Sequence, residues 1–144
     1  MATGFKTTTT GPLFAPDRAR KIIRDAAQGA VKETIDNVSE HLSEMLRSRS
    51  GGGVYKNPSE VRPEQKSSGH FRREVMASKR IGNLTAKIDD GEVVYGPWLE
   101  GVSSRNRATR FKGYRMFRRT KQWVDKKLPK IVEAHMKKAI RDLN

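Results

Sequence analysis

Residues 17–48 constrain the fold more than any other part of the chain. Apolar side chains recur at Ala19, Ile22, Ile23, Ala26, Ala27, Ala30, Val31, Ile35, Val38, Leu42, Met45 and Leu46. That 3–4 spacing persists for about nine turns, and the intervening positions are polar or charged. Pro16 stands at the start, Asp17 suits the free N–H groups of a first turn, and Gly51-Gly52-Gly53 ends the run. A chain of 144 residues with one helix of this length must build its core along that helix. Gly29 inside it is unfavourable by about 1 kcal/mol relative to Ala, which predicts either a close approach of another element or a bend.

The rest of the chain has a legible order. Residues 1–16 read as an extended arm, with four threonines at Thr7–Thr10 and breaks at Gly11, Pro12 and Pro16. Its apolar residues, Phe5, Leu13 and Phe14, have nothing local to pack on, and two readings stand: a disordered tail, which is the default, or an arm ordered on a partner surface. Residues 50–69 read as a long flexible loop rich in Gly, Ser and Pro. Gly69 to Val75 reads as a short turn or helix. Residues 79–99 read as a β-hairpin turning at Asp90-Gly91, with Val93, Val94 and Tyr95 on the return strand and Gly96-Pro97 ending it. Residues 101–115 read as a loop. From about Met116 the spacing is helical again through Leu143, with Pro129 kinking that helix or starting a second one. The expected fold class is α+β: a long N-terminal helix, a β-hairpin or small antiparallel sheet, and a C-terminal helix, as one domain over residues 17–144 preceded by the arm.

Charge is concentrated at one end. The chain carries a net charge of +14. Residues 1–104 hold 16 Lys+Arg against 13 Asp+Glu, and residues 105–144 hold 14 against 3. Eight cations lie between Arg105 and Lys121 with no carboxylate among them: Arg105, Arg107, Arg110, Lys112, Arg115, Arg118, Arg119 and Lys121. Phe111, Tyr114 and Phe117 are interleaved with them. Two readings of this stretch stand side by side. Cations attract phosphates, and aromatics between them stack on bases. Alternatively, the aromatics anchor the loop to the core while the cations are solvated or meet acidic residues of another subunit. No helix-turn-helix or RNP pattern favours the first reading.

Enzyme chemistry finds little support. His41, His70 and His135 fall in no ligand spacing, there is no cysteine, and no nucleophile elbow or Walker loop occurs. Asp89, Asp90 and Glu92 are explained by turn chemistry. We therefore expect no catalytic residues, no cofactor and no metal. No apolar run approaches the roughly 20 residues of a membrane span, and the first residues lack the order of a signal peptide. The absence of Cys suits a reducing cytoplasm.

The most unusual string is Tyr95-Gly96-Pro97-Trp98-Leu99-Glu100-Gly101. A Gly-Pro turn sets Trp98 and Leu99 at a corner. Buried, they pin the loop; exposed, they are interface anchors. Glu100 is poised to pair with one of the following cations or with a neighbouring subunit.

Together with Ser68-Gly69-His70-Phe71-Arg72-Arg73 and Arg110-Phe111-Lys112-Gly113-Tyr114-Arg115-Met116-Phe117-Arg118-Arg119, that string resembles the neck or tail-completion (minor tail component) family of long-tailed phages, and is similar to its versions from phages of actinobacteria. The likeness covers residues 17–144, and the 50–69 loop and Thr-rich arm depart from the family's minimal pattern. It implies a small α+β structural protein of the virion, made in the host cytoplasm. Such subunits assemble as a homo-oligomeric ring, usually taken as hexameric, between tail tube and head connector, and help make the tail competent to join the head. It further implies contacts with tail terminator, tail tube and head-closure proteins, and with passing DNA by charge only, without a membrane. Phe5, Phe14, Tyr95, Pro97, Trp98, Leu99 and Glu100 are then candidate interface residues, and the eight cations a basic surface. The rival expectation is a basic nucleic-acid-binding protein.

Overall fold

The computed structural model describes residues 15–49 and 69–143. Phe5, Phe14 and the 50–69 loop up to residue 68 lie outside the described residues. The elements run α1 (Pro16–Arg49), α2 (His70–Ala77), β1 (Arg80–Ile81), β2 (Ala86–Lys87), α3 (Gly96–Glu100), α4 (Arg105–Ala108) and α5 (Met116–Leu143). The expected plan of long helix, small antiparallel sheet and C-terminal helix is the plan observed, with helix predominating.

The α1 periodicity is used by two neighbours. Along one side α5 runs antiparallel to it. Met45 Sδ accepts from the Thr120 hydroxyl at 3.7 Å. The His41 ring stacks on Trp123 with centroids 4.5 Å apart and planes 4° from parallel. Farther along, Glu33 meets His135 at 2.8 Å. The expected close approach at Gly29 is present: a Cβ there would lie 2.8 Å from the His135 imidazole. Pro129 neither splits α5 nor starts a second helix, and sits inside one continuous 28-residue helix.

The second neighbour is α2, which was expected as no more than a turn or short helix. Phe71 and Val75 are buried against Ile35, Val38, Leu42 and Leu46 of α1, with Val93 and Met116 completing the core. Arg72 donates to Ser43 Oγ at 2.7 Å, and Lys79 pairs with Asp36 at 2.5 Å, so polar contacts flank the apolar seam.

The hairpin lies earlier than the sequence reading placed it. Arg80 pairs with Lys87 and Ile81 with Ala86. The turn is Gly82–Thr85, closed by Gly82 N–H donating to Thr85 O at 2.8 Å. Both strands therefore fall within the segment read as the first strand. Asp90-Gly91 forms a separate turn satisfied by side chains. Asp89 Oδ1 accepts from Gly91 N–H (3.0 Å) and Asp90 Oδ1 from Glu92 N–H (3.2 Å), so no ladder is needed. Gly91 has φ +64 and packs against the α2 backbone at Glu74, where any Cβ would clash. Val93 enters the core rather than a strand, and Val94 is almost fully exposed. Gly96-Pro97 opens α3 instead of ending a strand, because a proline at the first helical positions has no N–H to leave unpaired.

Two predictions follow from this packing. Leu42 is 1% exposed at the centre of the core, so Leu42→Ala is expected to cost about 2–5 kcal/mol of stability, read by urea unfolding. Asp89 has its carboxyl held below the ordinary range, first by its hydrogen bond from Lys87 and then by the Gly91 N–H. A lowered folded-state pKa means that its contribution is present above the unfolded pKa and is lost as pH falls through the folded one. The Asp89 side-chain carbon signal should therefore titrate at lower pH than in an unfolded peptide. Lys87→Ala should move that midpoint upward, and an unmoved midpoint would remove the assigned cause.

Candidate assembly corner at the start of α5

The two unusual strings of the sequence, Tyr95–Gly101 and Arg110–Arg119, are packed against each other. Their contact begins with the backbone. Tyr114 N–H donates to Leu99 O at 2.6 Å. Gly101 and Gly113 face one another at φ +94 and +81. A Cβ on Gly101 would lie 2.2 Å from Lys112 O, and one on Gly113 would lie 2.3 Å from the Gly101 backbone. Both positions require glycine twice over, for the left-handed conformation and for the space.

Side chains then lock the crossing. Glu100 Oε2 accepts from Phe117 N–H and Oε1 from Arg118 N–H, each at 3.0 Å. One carboxylate from α3 thus caps the first turn of α5, satisfying two N–H groups that have no partner within the helix. Within the chain, Glu100 makes this cap rather than an ion pair with one of the cations that follow it. Asn106, 4% exposed, spans the loop. Its Nδ2 donates to Trp98 O (3.0 Å) and Phe111 O (3.1 Å), and its Oδ1 accepts from Ser103 N–H (3.0 Å). Lys112 Nζ donates to Asn106 O at 2.8 Å.

The aromatics form a ladder within the corner. Trp98 packs against Phe111 with centroids 4.5 Å apart and planes tilted by 48°, and Phe111 meets Tyr114 edge to face at 5.0 Å. Leu99, Tyr114 and Phe117 pack against the main core. Trp98 is half-buried, with one ring contact to Phe111 and part of its surface open to solvent. Tyr95 is exposed at the start of α3 with its ring 6.0 Å from Phe71, and Pro97 is exposed in the first turn of α3.

The cations surround this scaffold. Arg105, Arg107, Arg110, Arg115, Arg118 and Arg119 are exposed, and among the described residues none of their guanidinium groups makes an ion pair. Lys121 pairs with Asp125 at 2.7 Å, and Lys112 is occupied by the loop backbone. The interleaved aromatics Phe111, Tyr114 and Phe117 are half-buried against the fold, and the arginines face solvent. Arg115 has φ +55, an uncommon conformation for a non-glycine residue, at the step into α5.

Sequence reasoning missed Asn106, Gly101 and Gly113. The available signal was two glycines bracketing a stretch with a single amide side chain able to bridge it. Among the described residues no helix is long and apolar enough to cross a membrane. The chain matches no family model, no curated protein and no solved structure.

Removing the cap or crowding the crossing should loosen this corner selectively. Glu100→Ala is expected to cost about 1–2 kcal/mol, the range of a lost helix cap. Gly101→Ala should cost about 1–3 kcal/mol from backbone strain before any clash is counted. Urea unfolding followed at 222 nm measures both, and wild-type stability in either variant would refute the corresponding contact.

Proposed function

We propose that this chain is a structural subunit of the head–tail joint of a long-tailed phage, a neck or tail-completion protein that acts through contacts with copies of itself and with adjoining neck and tail proteins. The observation that carries the reading is the fused corner. Two of the three strings on which the family resemblance rests, Tyr95–Gly101 and Arg110–Arg119, form one interlocked unit through Glu100, the Gly101–Gly113 crossing and the Trp98–Phe111–Tyr114 aromatics. A corner locked by its own packing, with an arginine rim around it, suits a subunit that must present a fixed surface to neighbours.

Several further features support it. The apolar fraction is 35%, below the roughly 45–50% of average globular chains, as expected where neighbours complete the burial. Ile23, Leu128, Val132 and Ile140 are substantially exposed on the α1–α5 face. In a ring near the DNA path, the tail terminator, the tail tube and the head-closure protein are the proposed neighbours, and the arginines meet acidic subunit surfaces or the DNA backbone.

The rival reading, a basic nucleic-acid-binding protein, retains the charge but not the stacking platform. Phe111, Tyr114 and Phe117 are engaged with Trp98 and the core and are not presented to bases. Cryo-EM of intact virions tests the proposal. Density for this chain is expected as a ring at the junction of tail and head. Density confined to the capsid shell, or particles lacking the chain, would overturn it.

A further inference from the structure

Beyond the corner, α5 carries a second and longer array of cations. Arg119, Lys126, Lys130, Lys137 and Arg141 follow one another at alternating spacings of seven and four residues. Seven residues make about two helical turns and four about one, so the five side chains stand on one face. Their eleven-residue repeat, about 3.67 residues per turn, stays nearly in step with a straight helix. All five are exposed. From Arg119 to Arg141 the stripe runs about 33 Å at 1.5 Å per residue. It depends on the continuity of α5 through Pro129, since a break there would turn Lys130, Lys137 and Arg141 away from Arg119 and Lys126. Lys137 is held by Glu133 at 2.6 Å. The other four make no ion pair among the described residues. Arg115, whose carbonyl accepts from Arg119 N–H at 2.9 Å, joins the stripe to the corner.

We propose that the α5 stripe seats the phosphate backbone of a nucleic-acid duplex, by charge and without base contacts. The proposal deepens the reading above and rests on it: of the two partners named there for the cations, it commits them to the nucleic acid. Three observations favour a duplex over an acidic protein. First, shape: a duplex carries one negative charge per about 1.7 Å of its axis. A straight row of cations as long as about one turn of duplex therefore meets phosphates throughout, with no position-by-position fit. Carboxylates on a protein would have to recur at the same intervals over the same length. Second, composition: contacts between proteins centre on apolar area and are depleted in Lys. Three of the five stripe positions are Lys and none is apolar. Third, net charge: at +14 per chain, copies repel one another, so an outside polyanion relieves the stripe better than a second copy does. The stripe holds no aromatic, and Phe111, Tyr114 and Phe117 are half-buried, so bases find no platform and the contact is independent of sequence. DNA and RNA duplexes share this chemistry.

The test is a titration of labelled DNA and RNA duplexes of scrambled sequence with the full chain, repeated over a series of salt concentrations and followed by fluorescence anisotropy. For at least one duplex, the logarithm of the binding constant is expected to fall linearly with the logarithm of salt concentration. The triple variant Lys126→Gln/Lys130→Gln/Arg141→Gln is expected to make that slope shallower by about three. A control on α1, Lys21→Gln/Arg24→Gln/Lys32→Gln, removes the same charge from exposed positions and is expected to change the slope by less than about one. Far-UV circular dichroism checks that both variants keep their helix. Equal slopes in the two variants would show that net charge alone binds, and would overturn the proposal. Absence of salt-dependent binding overturns it too. So does tighter binding to polyglutamate of equal charge than to either duplex, which would give the stripe to an acidic protein. The two readings fail separately: stripe-dependent binding by a protein absent from virions removes only the neck assignment, and neck density without stripe-dependent binding removes only the duplex contact.

Discussion

The antiparallel seam between α1 and α5 is the constraint on which everything else in this molecule is hung. These two helices are the only described elements long enough to organise a core, and neither carries enough apolar surface to be stable alone. Their register is set by a few paired positions. Gly29 admits the His135 ring, His41 lies flat on Trp123, and Met45 meets Thr120. Once those pairs are fixed, the α1 face holding Ile35, Val38, Leu42 and Leu46 is committed to α2, Val93 and Met116. The short elements between residues 69 and 115 are then positioned by what they insert into that face. Phe71 and Val75 place α2, Val93 places the Asp90-Gly91 turn, and Leu99 places α3.

The corner solves the entry problem of α5. A long helix that starts after a glycine-bearing loop has free N–H groups and an undefined direction. Glu100, seventeen residues before Phe117, supplies both answers, since its carboxylate accepts from the first turn and ties α3 to it. The Gly101–Gly113 crossing brings the backbones close enough for that reach. Asn106 then converts the 101–115 segment from a loose connection into a closed loop, with both amide hydrogens and its carbonyl oxygen bonded to backbone. Stability and geometry are coupled at this point: what caps the helix also fixes where the surrounding arginines stand.

How much of this was legible follows from the range of each interaction. Helix α1 was readable because its signal is periodic and repeated, and α5 because the same period resumes at Met116. The small antiparallel sheet was anticipated but its turn was misassigned. Asp90-Gly91 is a strong turn signal, yet its carboxylates bond forward to Gly91 and Glu92 and make the turn self-sufficient. Gly82-Asn83, a weaker signal, carries the hairpin: Gly82 N–H donates to Thr85 O, and the Asn83 side chain accepts from Gln28 of α1. The roles of Glu100, Asn106 and the facing glycines were invisible for a different reason. Each depends on residues brought together by the fold, and no spacing rule relates a glutamate to a helix that starts so far downstream.

The placement of positive charge can now be argued from folding physics. Cations at a helix N-terminus oppose the helix dipole, each by about 0.3–1 kcal/mol near the surface. Arg118 and Arg119 lie in the first turn of α5 and Arg115 immediately precedes it, while no acidic residue occupies that turn. A sequence shaped only for stability would place carboxylates there. This one imports a single carboxylate from α3 and leaves the arginines exposed, so they contribute nothing that the fold needs. Under the proposed assembly, this break of a local rule is where contact with a neighbour would offset the cost. The +11 of residues 105–144 is in that sense the complement of the exposed apolar side chains on the α1–α5 face. One is charge and the other apolar area, and each is unfavourable when left to water alone.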